Sequence, residues 1–205
     1  MRMKRNFSQR GVGAFLFVLA LSAVSFAQSA QTSLADVKIK NFGQMDERFY
    51  RGAQPKKEDY RSLAALGIKT VIDLRDDAKD YERPAVEALG MHYVNIPMSD
   101  KHYPREEQIE AFLKLADDPG TGAFYVHCAG GRHRTGVMGA VYRFTRYGWN
   151  YEQVYKEMKD YDFYTRFGHG DMKKYVQDYW QRVQAHPAHI TPTTPTPLVV
   201  APAVR

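Results

Sequence analysis

The stretch from His127 to Gly136 reads HCAGGRHRTG and holds the chain's one cysteine, a pair of glycines and Arg132-His133-Arg134. The apolar run Ala123–Val126 before it predicts a short buried strand. Thr135–Tyr147 after it carries Val137, Met138, Val141, Tyr142 and Phe144 at helical spacing, with no proline. Cys128 and Arg134 are therefore joined by a C-x5-R loop between a strand and a helix. So short a loop at a helix N-terminus leaves backbone N–H groups converging on one concavity. Such a nest suits a tetrahedral anion, with Gly130 and Gly131 allowing the torsions and the close approach. Arg134 can grip two oxygens of a phosphoryl group, and the neighbouring positive charge favours Cys128 as thiolate. The chemistry implied is attack of a thiolate on phosphorus, with Cys128 as nucleophile. The competing readings are a buried structural thiol and sulfur transfer on a looped cysteine. Disulfide exchange needs a second thiol, which the sequence lacks.

The elements that must position this loop alternate. Arg48–Arg51 predicts a strand, Lys57–Leu66 a helix ending at Gly67, and Ile68–Leu74 a buried strand. Arg83–Leu89 predicts a helix with Pro84 in its first turn, His92–Ile96 a strand, and Pro104–Ala116 an amphipathic helix. Beyond the loop helix, Asn150 is placed to cap a helix bearing Val154, Met158 and Tyr161, and Asp171–Val183 predicts another. The aromatic residues from Tyr151 to Phe167 read as packing over a sheet. The expectation is one α/β domain over residues 41–184, a mostly parallel central sheet flanked by helices, with Cys128 at the carboxyl edge where ligands bind.

The ends differ. Arg2, Lys4, Arg5 and Arg10 precede the apolar run Val12–Val24, and Ser25-Phe26-Ala27 offers small residues two apart. Residues 1–27 thus have the form of a secretory signal peptide, too short in its apolar run for a comfortable span. Residues 28–40 read as a linker, and 185–205, rich in Pro and Thr, as a disordered tail. The signal segment carries four basic and no acidic residues, so the net charge of +6 falls to +2 without it. That excludes a basicity argument for nucleic-acid partners, and no stable membrane insertion is expected after cleavage. A single cysteine suits export, since it has nothing to mispair with. Lys101, His102 and Arg105 add positive charge near the loop, as a solvated face also would.

HCxxGxHRTG, with His127 before Cys128 and Arg134-Thr135-Gly136 at the end, resembles the cysteine-dependent protein tyrosine phosphatases of the dual-specificity branch. It is most similar to the small atypical subgroup of plants, fungi and bacteria, some of whose members hydrolyse inositol pyrophosphates. The resemblance runs from about Phe49 through GIKTVIDLR to about Trp180. It implies a phosphatase-type fold and a cysteinyl-phosphate intermediate, with the amides of Ala129, Gly130, Gly131, Arg132 and His133 binding phosphate beside Arg134. Thr135 would donate its hydroxyl to the sulfur or cap the helix, and His127 would orient the loop. The resembled family's general acid lies after the strand preceding the nucleophile strand, which points to Asp100, 28 positions before Cys128, with Asp76 and Asp77 as runners-up. Arg132 and His133 would select anionic groups, although His133 also suits a packing role. No metal-ligand spacing occurs, and the chemistry needs no cofactor. The substrate implied is a phosphorylated protein or an inositol phosphate; a phospholigand-binding module without turnover is the alternative. If the export reading holds, N-terminal sequencing of the mature protein finds a start near Gln28. An intact Met1 on soluble cytoplasmic protein contradicts it.

Overall fold

The computed structural model describes residues 33–186, so the signal-like segment and all but the first two residues of the Pro/Thr-rich tail lie outside the described residues. Five strands and six α-helices follow one another: β1 Gly43–Gln44, β2 Phe49–Ala53, α1 Tyr60–Ala65, β3 Thr70–Arg75, α2 Glu82–Glu87, β4 His92–Met98, α3 Glu106–Asp117, β5 Phe124–Cys128, α4 Arg134–Tyr147, α5 Tyr151–Asp160 and α6 Gly170–Ala185. The sheet order is β1-β2-β5-β3-β4, and every pairing is parallel except β1 with β2. The expected α/β class, with its mostly parallel sheet between helices, is what the chain forms.

Parallel strands need cover on both faces, and β5 at the sheet's centre shows how side-chain alternation supplies it. Phe124, Val126 and Cys128 point into the core under α3, α4, α5 and α6, while Tyr125 belongs to the core on the α1 and α2 side. In β3, Ile72 and Leu74 face the first core and Val71 the second. Every residue of α4 from Arg134 to Thr145 is buried, so the helix behind the loop is a core element with no wetted stripe along that stretch. It stops at Gly148, whose φ of 59° is the left-handed C-cap. Asn150 then caps α5 as its sequence position suggested, Oδ1 accepting from the Gln153 N–H at 2.9 Å.

Three departures have local causes. β4 extends two residues past Ile96 because a register shift between Asp73 and Arg75 is bridged by Asn95, whose Nδ2 donates to both of their carbonyls at 2.9 Å. α1 starts at Tyr60 because Asp59 first closes a turn, accepting from the Lys56 N–H at 2.8 Å. The linker expected over 28–40 is not one across its described part. Val37 and Ile39 are buried with Phe42 against Tyr50 and Tyr125, and the Lys40 carbonyl accepts from the Ala53 N–H at 2.8 Å. The lead-in covers the sheet's second face. Ile39→Ala should therefore cost roughly 2–4 kcal/mol in urea unfolding; a linker position would give under about 0.5 kcal/mol.

Candidate active site

Cys128 is the last residue of β5, and Arg134 is the first of α4. The loop between them is held by its carbonyls. Gln54 N–H donates to the Ala129 oxygen at 3.3 Å, Asn41 Nδ2 to the Gly130 oxygen at 2.9 Å, and Arg51 Nη2 to the Gly131 oxygen at 2.8 Å. With three successive carbonyls tied outward, the loop's N–H groups are left to face the concavity. Gly131 has φ 65°, and a Cβ there would stand 2.4 Å from the Gly52 carbonyl carbon, so both torsion and space demand glycine. Gly130 needs neither: a Cβ there meets only the Arg132 side chain at ordinary contact, which corrects the expectation that both glycines are required.

The sulfur is almost fully enclosed, Cys128 being 3% exposed. Burial pushes the thiol up. The Arg134 charge, the Thr135 hydroxyl and the N–H groups of Thr135 and Arg132 outweigh it and leave the thiol below its ordinary value. The Thr135 hydroxyl is buried with no complete hydrogen bond, so its proton is free to turn onto the sulfur. No side-chain cap at α4 involves it; the N-cap residue is His133.

Arg134 is 5% exposed; its Nη1 donates to the Met98 carbonyl at 3.0 Å and to Asp76 Oδ1 at 2.9 Å, and its Nε is buried without a partner. Asp76 is thus the carboxylate that meets Arg134. Asp77 is committed elsewhere: paired with Arg75, its carboxyl is held below the usual range by that hydrogen bond, which makes it a poor proton donor. Asp100 follows β4, and its carbonyl accepts from His169 Nδ1 at 2.6 Å. The His169 ring stacks on His133 at 3.6 Å between centroids, so Asp100 is tied to the loop's rim through one imidazole. His133 itself is turned away from an anion-selecting role. It is buried, its Nε2 lies 3.0 Å from the Tyr164 carbonyl, and burial with His169 alongside pulls it down to about 4. At neutral pH it is an uncharged packing group, and only its backbone remains for phosphate. Arg132 is partly exposed and faces Asp162 at 3.8 Å. Arg105 sits at the N-cap of α3, its N–H donating to Gln108 Oε1 at 2.9 Å.

Beneath the nucleophile lies a group that sequence spacing did not reveal. His127 and Glu82 are fully buried with Nε2 and Oε1 2.7 Å apart, and Asp73 Oδ1 is 3.8 Å from Nδ1. The ring N–H is not aimed well enough for a full hydrogen bond, but the contact is a close ion pair. Burial opposes charge on His127, yet Glu82 and Asp73 raise it above its ordinary 6.5; burial likewise opposes charge on Glu82, which His127 lowers below 4.5. Burial raises Asp73, whose Oδ2 accepts from the Tyr93 hydroxyl at 2.9 Å. These three are also near enough to share a metal ion, but the short His–Glu contact satisfies their charge without one. His127 therefore anchors the end of β5 to α2, fixing Cys128 from behind.

A family model described as the DSP-PTPase phosphatase fused to NAD+ kinase matches residues 22–177. The chain belongs to that family. It is also 27% identical over 169 residues to the dual specificity protein phosphatase TpbA of Pseudomonas aeruginosa, across 81% of this chain and 76% of TpbA. The crystal structure of P. aeruginosa TpbA superposes with a TM-score of 0.59 at 24% identity, covering 72% of this chain and 92% of that one. The catalytic core of the PP-IP phosphatase SIW14 from S. cerevisiae gives 0.59 at 19%, covering 75% and 96%. Those two superpositions show the shared fold. The chain is a cysteine-dependent phosphatase of the dual-specificity type.

The buried ion pair carries a stability signature. His127, raised, contributes stability that is whole below about pH 6.5 and fades as pH rises through its folded value; Glu82, lowered, contributes above about pH 4.5 and fades as pH falls through its own. Glu82→Ala should cost about 3–5 kcal/mol in urea unfolding between about pH 4.5 and 6.5, and the gap to wild type should narrow as pH rises through the folded His127 value or falls through that of Glu82. A cost under about 0.5 kcal/mol marks the pair as idle.

Proposed function

We propose that this phosphatase is exported and hydrolyses phosphomonoesters of proteins, phosphotyrosine or dual-specificity substrates, through a cysteinyl-phosphate. The observation that carries the reading is the Cys128 thiol enclosed under Arg134 and the loop N–H groups, below its ordinary titration range. Support for the substrate class comes from TpbA, named a dual specificity protein phosphatase, one of whose crystal structures is in complex with pTyr. Export is supported by the basic and apolar pattern of residues 1–27.

In this reading the Cys128 thiolate attacks phosphorus as the bond to the leaving oxygen breaks. Arg134 and the N–H groups from Ala129 to His133 hold the equatorial oxygens, an electrostatic role of the oxyanion-hole kind. Arg134 keeps Asp76 on Nη1 until the dianion arrives, so Asp76 competes with substrate for the guanidinium. Asp100 protonates the leaving oxygen, then takes a proton from the water that splits the cysteinyl-phosphate, and Thr135 supports the departing thiolate.

A second reading, an inositol polyphosphate or pyrophosphate substrate, has one observation in its favour. Beside the loop lies a cavity of about 400 Å³ lined by Arg132, Lys159 and Arg166 with Asp162 as its one carboxylate. Three cations suit a substrate with more than one phosphate, and SIW14 is named a PP-IP phosphatase.

One variant separates these readings. General-acid catalysis contributes about a hundred- to ten-thousand-fold, and a phosphate leaving group or para-nitrophenolate needs little of it. Asp100→Asn should lose most of its activity on phosphotyrosine peptides, while keeping most of it on para-nitrophenyl phosphate and on an inositol pyrophosphate; Cys128→Ser should lose all three. Comparing the wild-type kcat/KM values then decides between peptide and pyrophosphate. Equal loss on all three substrates gives Asp100 a structural role, and unchanged rates in Asp100→Asn with loss in Asp76→Asn move the acid to Asp76.

A further inference from the structure

Buried charges are costly unless paired, and the described arginines obey this with one exception. Arg75 pairs with Asp77, Arg134 with Asp76, and Arg143 with Glu157. Arg51, at the centre of β2, is 1% exposed, yet no carboxylate among the described residues lies within 4 Å of its guanidinium. Glu157, the nearest acid in kind, is taken up by Arg143, which grips both its oxygens at 2.6–3.2 Å. Around Arg51 stand the Tyr161 ring, 4.0 Å from its Cζ, and the Gly131 carbonyl, which accepts from Nη2 at 2.8 Å; its Nε is buried without a partner. A ring face and one carbonyl do not neutralise a full charge.

The missing anion is close at hand. Arg51 is adjacent in register to Val126 on β5, two residues before Cys128, and β2 runs on through Gly52 and Ala53, with Ala53 opposite Cys128 itself. The Gly52 backbone presses on Gly131 so tightly that no Cβ fits between them. Arg51 thus sits under the phosphate loop, on the side away from solvent, its Nη2 on the Gly131 carbonyl. We propose that Arg51 is a positioning residue for the phosphatase reaction: a second buried cation that stabilises the Cys128 thiolate from beneath and turns the Gly131 carbonyl out of the cradle. Its charge has no carboxylate partner among the described residues, and the residue lies on the same face of the sheet as Val126 and Cys128. Such an arrangement keeps the nucleophile ionised even while Arg134 is shared with Asp76 or with substrate.

The inference rests on Cys128 as the nucleophile, and its test reports on the two separately. The other charged or titratable groups facing this pocket are Arg134 and Arg143 from α4, Glu157 and Tyr161 from and after α5, and His127 from β5. Thiolate ultraviolet absorbance, with Cys128→Ser as the blank, gives the titration of Cys128 in each variant of the full-length protein. Arg51→Gln keeps a donor for the Gly131 carbonyl and removes the charge; at a fixed pH below the midpoint it should carry roughly tenfold less thiolate than wild type. Arg51→Lys keeps a charge and should stay within about threefold. Equal titration of wild type and Arg51→Gln overturns the inference while leaving Cys128 as nucleophile; activity surviving in Cys128→Ser removes the reading beneath it.

Discussion

A thiolate on a residue only 3% exposed is unstable by itself, and this fold is arranged around offsetting that cost. Burial alone would hold Cys128 protonated and inert. What reverses the balance is a set of donors and charges that no single element supplies: Arg134 and Thr135 from α4 and the Arg132 N–H from the loop. Those amides face inward because Asn41, Arg51 and Gln54, all from the N-terminal third of the fold, bind the carbonyls on the other side of the same peptides. A peptide whose C=O is anchored outward has little freedom to point its neighbour's N–H anywhere but in.

The same constraint explains the polar core. His127, one residue before the nucleophile, is fully buried, and an uncharged apolar residue would pack there at less cost. Its ion pair with Glu82 ties the end of β5 to α2, so the strand that carries Cys128 is fixed by a buried charge contact as well as by its ladder with β2 and β3. Buried pairs of this kind are weak sources of net stability and stronger sources of a single geometry. The rim works differently. His133, His169 and the Asp100 carbonyl form a chain of one ring stack and one hydrogen bond joining the phosphate loop to the segment after β4.

Much of this was legible in the chain itself. HCAGGRHRTG between an apolar run and a proline-free helical pattern located the loop, and the alternation of apolar strands with amphipathic helices gave the parallel sheet. What escaped did so for physical reasons. Val37 and Ile39 alternate with polar residues over too few positions to separate a packed lead-in from a linker, and β1, two residues long, has no periodicity at all. His133 looked like an anion selector because charge is read from residue type, whereas its burial against His169 comes from residues 36 positions away. The Asp76–Arg134 contact, the partners of His127 and the solitary charge of Arg51 are all long-range. For Arg51 a signal did exist: an arginine in an apolar strand pattern, on the same face as Phe49, is pointed into a core and must have a reason to be there.

The account stands or falls on the state of one sulfur. The rate of Cys128 alkylation by iodoacetamide, followed across pH with and without vanadate, reads that state directly. The account predicts a rate that rises through a midpoint clearly below the ordinary thiol value of about 8.5, and strong slowing by vanadate, which fills the cradle. A rate that climbs only above that value and ignores vanadate would mean that the loop neither ionises its cysteine nor binds a phosphate-like anion.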